Sequence, residues 1–183
     1  MKLKVWGKTL LSIYNCLFKL VEEIDKIVED FALKGGMSYG FNSSLFNMQK
    51  IIDLTERKIT LINVKVLVEQ IMEGLDDTSC KILTLKFIDK IPSELVVKAL
   101  GLTRRTFYRR FNNGLETFAR KLKSLGYDEK NMIDFIRDEH WIFEVYKDFC
   151  EKEIQEEFEE SFAGAKVFSL INRNIHSAKK MRS

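Results

Sequence analysis

An all-α fold is predicted by three features of the sequence. Apolar residues recur three and four apart in nearly every segment, a single proline stands in the chain of 183 residues, and glycines such as Gly35-Gly36 and Gly101 stand between periodic stretches. The expected architecture is a pair of helices joined by a tight turn within residues 76–125, flanked by N-terminal and C-terminal amphipathic helices.

Residues 1–34 read as the first amphipathic helix. Leu10, Tyr14, Leu17, Val21, Ile24 and Val28 share one stripe that must be covered, either within the chain or in a homodimer. Lysines ahead of a short apolar stretch give the N-terminus a faint look of a signal peptide. Ser12 and Asn15 interrupt that stretch, no small-residue cleavage site follows, and it is too short to span a bilayer. A cytoplasmic protein with no membrane contact is expected.

Residues 35–75 read as a linker and a helical region. Gly35-Gly36, Ser38, Gly40, Asn42 and Ser43 suit a loop. From about Leu45 to Gly74 the apolar residues are dense. The β-branched run from Lys58 to Val66 leaves room for a break or a short extended piece, but no glycine or proline interrupts it, so helix is expected.

Residues 76–125 carry the strongest local signals. Asp77 or Thr78 can cap a first helix holding Ile82, Leu83, Leu85 and Phe87. That helix should stop before Pro92, because the residue preceding a proline avoids helical angles. Pro92 and Ser93 suit the start of a second helix, with Leu95, Val96 and Leu100 facing inward. Gly101 can take the left-handed conformation that closes a helix, Leu102 can plug the angle between helices, and Thr103 can cap the third. On that third helix Phe107, Phe111, Leu115, Phe118 and Leu122 form one apolar stripe at about 100° per residue. Arg105, Arg109 and Asn112 project to the other side, flanked by Thr106 and Asn113, with Arg104 in the first turn and Tyr108 on the boundary. From Arg104 to Lys123 seven basic residues stand against one acid, Glu116. Arginine forks match guanine edges and phosphate oxygens, and asparagine can pair with adenine.

Residues 126–183 differ in character. From Asp138 to Glu160 ten acids stand against Lys147 and Lys152, interleaved with Trp141, Ile142, Val145, Tyr146, Phe149 and Ile154 at helical spacing. From Lys166 to Ser183 there are five basic residues and no acid. A solvated helix face with a frayed tail is one account; an acidic helix that screens the arginine-rich one is the other.

Composition limits the function classes. The net charge is only +3, so the chain is not a polybasic coat for nucleic acid, and the distribution of charge carries the information. Cys16, Cys80 and Cys150 lie far apart, which points to buried thiols in a reducing compartment and away from a disulfide framework. There is no phosphate-cradling glycine loop, no nucleophile elbow and no paired cysteine-histidine spacing, so neither an enzyme nor a bound cofactor or metal is expected. Asp138, Glu139 and His140 are consecutive, and their side chains would splay around a helix instead of converging.

The segment from Thr78 to Leu122 resembles the helix-turn-helix of sigma-70 region 4, which is similar in turn to the DNA-binding domains of many response regulators. Leu100-Gly101-Leu102-Thr103 matches the Leu-Gly-Ile-Ser turn of that family. Thr106-Phe107 and Arg110-Phe111 match its Thr-Val-x-x-Arg-Leu pattern, with Leu115 on the following leucine. Leu95 stands where the family has an acid, and Val97 where it usually has alanine, which implies altered packing between the second and third helices. The resemblance covers about a quarter of the chain, and no promoter-melting pattern is recognisable in residues 1–75. It implies a sigma-like factor or a region 4-like transcriptional regulator that docks Arg104, Arg105, Thr106, Tyr108, Arg109, Asn112 and Asn113 on double-stranded DNA. The other expectation is a protein-interaction module that binds RNA polymerase or another regulator without reading DNA.

Overall fold

The structure, a computed structural model, describes residues 2–37, 41–153 and 155, and it is all-α across them. The chain divides into two units, Met1–Tyr146 and Lys147–Ser183. In the first, α1 (Lys2–Met37) and α2 (Phe41–Glu73) pack along each other. Then come α3 (Asp77–Leu83), a π-helical turn (Thr84–Ile88), α4 (Ser93–Ala99), α5 (Arg104–Ser124) and α6 (Glu129–Phe135). Residues 140–146 begin a further helix, α7. Of the second unit, residues 147–153 are helical, and Lys152 Nζ lies 5.7 Å from the centre of the Phe149 ring. Ile154, the acids beyond it and the basic tail from Lys166 lie outside the described residues.

The stripe expected on α1 is covered within the chain. Leu10, Leu17 and Ile24 are buried, and Tyr14, Val21 and Val28 are half-buried. The partners on α2 include Leu61, Val64 and Val68, all buried. Tyr14 donates a 2.6 Å hydrogen bond to Glu69, which also accepts one from Lys65 at 2.6 Å. Because losing the phenol proton beside that carboxylate is unfavourable, the Tyr14 pKa is raised to about 12.

The loop expected at residues 35–43 needs correction. Gly35-Gly36 do not break the chain: they lie within the last turn of α1, where glycine weakens a helix by only about 1 kcal/mol. Asn42 and Ser43 fall inside the first turn of α2, and only 38–40 lie outside the described residues. The β-branched run from Lys58 to Val66 stays helical, because Leu61 and Val64 bury their side chains there and packing outweighs a propensity of a few tenths of a kcal/mol per residue.

α1 also packs against α5. A Cβ on Gly7 would lie 3.1 Å from Phe118 Cδ1, so the absent side chain at Gly7 is what lets α1 approach the buried Phe118 ring. Lys4 pairs with Glu116 at 2.6 Å across the same contact. Trp6, fully buried, stacks on Tyr146 of α7 with ring centroids 4.1 Å apart. α7 is fixed a second way through Glu139, just ahead of it. This carboxylate is 0 % exposed and accepts from Arg57 Nε at 2.9 Å, Arg57 Nη2 at 3.2 Å and Trp141 Nε1 at 2.7 Å. Ile142, at 0 % exposed, and Tyr146 belong to the core, so the start of the acidic helix is not a free solvated face.

Candidate nucleic-acid interface

The segment expected to hold two helices and a tight turn folds that way, with local differences. Asp76, not Asp77 or Thr78, caps α3: its carboxylate accepts from the Ser79 backbone N–H at 3.1 Å. Asp77 therefore enters the first turn, where a negative charge suits the helix dipole. The first helix does not run on to Ile91. It widens into the π turn, Asp89 N–H bonds to Thr84 O, and Lys90 takes φ +56°. Pro92 occupies the N-cap of α4, and α4 begins at Ser93.

Inward-facing residues on α4 also differ in one place. Val96 is fully buried and Leu100 packs beside it, as expected, but Leu95 is half-exposed and Val97 takes its place. The cluster is Ile82, Val96 and Phe107, ringed by Leu85, Ile91, Val97, Leu100, Leu102 and Phe111. One turn of helix separates Val96 from Leu100, and Leu95 and Val97 each lie about 100° from Val96, on opposite sides of it. The side that carries Val97 is the one packed against the cluster.

Gly101 has φ +61° and closes the turn, Leu102 fills the angle, and the Thr103 hydroxyl accepts from Thr106 N–H at 3.2 Å. On α5 the apolar stripe is the packed side: Phe107, Leu115, Phe118 and Leu122 are buried, and Phe111 stacks between Phe107 and Phe87 at 5.9 and 5.8 Å. Gly114 is buried as well. A Cβ there would lie 3.2 Å from Ser79 Cβ, so the missing side chain brings α5 close to α3. Sequence reasoning passed over Gly114 because its partner lies on another helix.

That packing leaves the opposite side of α5 open. Arg105, Arg109, Asn112 and Asn113 are exposed, Thr106 is half-buried under the turn, and Tyr108 is half-exposed with its ring edge-on to Phe107. Among the described residues neither Arg105 nor Arg109 has an acidic partner, so both guanidiniums are available. The one acid of α5, Glu116, is held by Lys4 and does not neutralise this strip. Arg104 stands apart. Its Nη2 lies 2.7 Å from Glu94 Oε1 across the turn, and the two line a shallow cleft of about 90 Å³ with Ser93, Val97 and Tyr108. Arg110 leans back toward Asp76 at 3.7 Å. Thus Arg105, Arg109 and Asn112 form the free face, while two of the neighbouring arginines have local acidic partners that sequence reasoning did not assign.

No group of histidine, cysteine and acidic side chains among the described residues could hold a metal ion, and no described helix is long and apolar enough to cross a membrane. No family model, curated protein or solved structure matches this chain.

Proposed function

We propose that this protein is a DNA-binding transcriptional regulator, of sigma-70 region 4 type or sigma-like, that docks the N-terminal half of α5 in the major groove of promoter DNA. The observation that carries the reading is the free Arg105–Arg109–Asn112 face at the start of a rigidly packed helix that follows a glycine turn. A recognition helix needs this arrangement: one side anchored by apolar burial, the other offering forks to guanine and phosphate. Arg105 and Arg109 would read or clamp, Asn112 would pair with an adenine edge, and Thr106 and Asn113 would reach backbone phosphates. Leu95, the departure from an acid in the region 4 pattern, stands at a solvent position, so the change leaves the packing of the turn untouched.

The test is binding of the full chain to duplexes selected from a random pool, with wild type compared against Arg105→Ala and Arg109→Ala. Each base-reading contact removed should cost about 1–3 kcal/mol, and loss of phosphate contacts should flatten the dependence of affinity on salt. Absence of duplex binding by the wild type from low to moderate salt would sink the proposal.

A second reading, a protein-interaction module that docks on RNA polymerase or another regulator, draws support from the cleft beside Tyr108. An exposed tyrosine next to a shallow depression is a common anchor at protein interfaces. Tyr108→Ala should then weaken polymerase binding, while Arg105→Ala and Arg109→Ala leave it unchanged.

A further inference from the structure

α2 is apolar on two nearly opposite sides. One side packs on α1 through Leu61, Val64 and Val68. About 175° around the helix, at 100° per residue, lies a second row: Leu45, Met48, Ile52, Thr55, Ile59, Ile62 and Val66. Its spacing alternates strictly between three and four, which is the heptad of a coiled coil, with Leu45, Ile52, Ile59 and Val66 at a and Met48, Thr55 and Ile62 at d. No described residue covers this row: its six large apolar residues are between 38 % and 56 % exposed.

Area and charge both point to one occupant. Six such side chains, each about half exposed, present roughly 500 Å² of apolar surface, the upper end of what a monomer normally leaves in one patch. A stable dimer takes about 800 Å² per partner, and the aliphatic stems of Gln49, Glu56, Lys58 and Lys65 beside the row supply the remainder. Those flanks are charged with opposite sign. The e positions hold Gln49, Glu56, Asn63 and Gln70, and the g positions Ile51, Lys58 and Lys65. A parallel in-register pair sets each g residue against the e residue five places on in the partner, so Lys58 and Lys65 meet Asn63 and Gln70 and no like charges face each other. An antiparallel pair puts the two lysine-bearing g rows on the same side.

We infer that the protein is a homodimer in which the Leu45–Val66 row of α2 forms a parallel two-stranded coiled coil with a second copy of the chain. Lys58 and Lys65, already paired with Asp25 and Glu69, remain at the edge of the seam. The inference does not depend on DNA binding, since mass alone reads it.

Light scattering of the full chain at micromolar concentration should give twice the 21.5 kDa of one chain. Ile52→Glu together with Ile59→Glu, both at exposed positions, should halve that mass and leave the helical circular-dichroism signal unchanged. A wild type that is monomeric throughout, or a Glu pair that leaves the dimer intact, overturns the inference. In a Cys16→Ser background, Met48→Cys should form a disulfide-linked dimer on mild oxidation, because a parallel pair places the two sulfurs opposite each other. A dimer that does not crosslink there overturns the parallel arrangement.

Discussion

At the scale of single residues, Gly101 and Gly114 show two different uses of a missing side chain. At Gly101 the constraint is the backbone: φ is +61°, and a Cβ would meet nothing within 4 Å. Gly101→Ala should therefore lower stability by about 1–2 kcal/mol, the cost of a left-handed L-residue, with the urea midpoint shifted and the slope unchanged. A loss within the few tenths of a kcal/mol typical of neutral surface changes would refute that account of the turn. At Gly114 the constraint is Ser79 on another helix. This contrast explains what was legible. Gly101 and Thr103 act on residues within a few places of themselves, so their roles can be read from the sequence. Gly114, the Arg104–Glu94 pair and the Glu139 carboxylate bound by Arg57 depend on residues brought close only by folding. Asp138, Glu139 and His140 were expected to splay around a helix; Asp138 and Glu139 instead stand in the turn ahead of α7, and Glu139 faces inward onto Arg57.

At the scale of helices, the start of α3 carries a titration that can be isolated. Hydrogen bonds from Ser79, through its hydroxyl and backbone N–H, hold the Asp76 carboxyl below its ordinary value, and Arg110 adds to the effect. A carboxylate whose folded pKa is depressed contributes stability that is present above the unfolded value near 4 and is lost as pH falls through the folded one. Asp76→Asn keeps a good capping residue and removes the proton. Its melting temperature should lie below the wild type near neutrality, where the ionised carboxylate contributes, and the two should converge below pH ~4 because the variant declines less steeply; parallel declines would assign the acid limb elsewhere. Helices were the most legible elements, since periodicity over many residues outweighs local exceptions. Their ends were less so: adjacent Asp76, Asp77 and Thr78 can all cap, and the π turn before Lys90 is set by how Leu85 and Phe87 pack. On α2 the dense apolar residues were plain, but their division into two rows appears only once α1 has taken one side.

At the scale of the molecule, the helices around the turn lean on the N-terminal pair. Phe118 on α5 closes against Gly7, and Lys4 reaches Glu116. A fragment of residues 76–135 would expose Phe118, whose burial is worth about 1.5–3 kcal/mol. It should melt without a cooperative transition, followed by circular dichroism; a sharp melt at the temperature of the full chain would show that α1 and α2 are dispensable. The same packing changes how the acidic helix must be tested. Removing residues from 138 onward would strip Ile142 and Tyr146 from the core, so a truncation that probes screening of α5 has to begin after Tyr146. The protein also brings its own optical gauge for these experiments. Of its two tryptophans, Trp6 is fully buried, flat against Tyr146, with an indole N–H that has no hydrogen-bond partner among the described residues. In a Trp141→Phe background its emission would be blue-shifted while α7 is seated and would move to the red as α7 lifts. Opening at one end of the molecule could thus be followed without attaching a label.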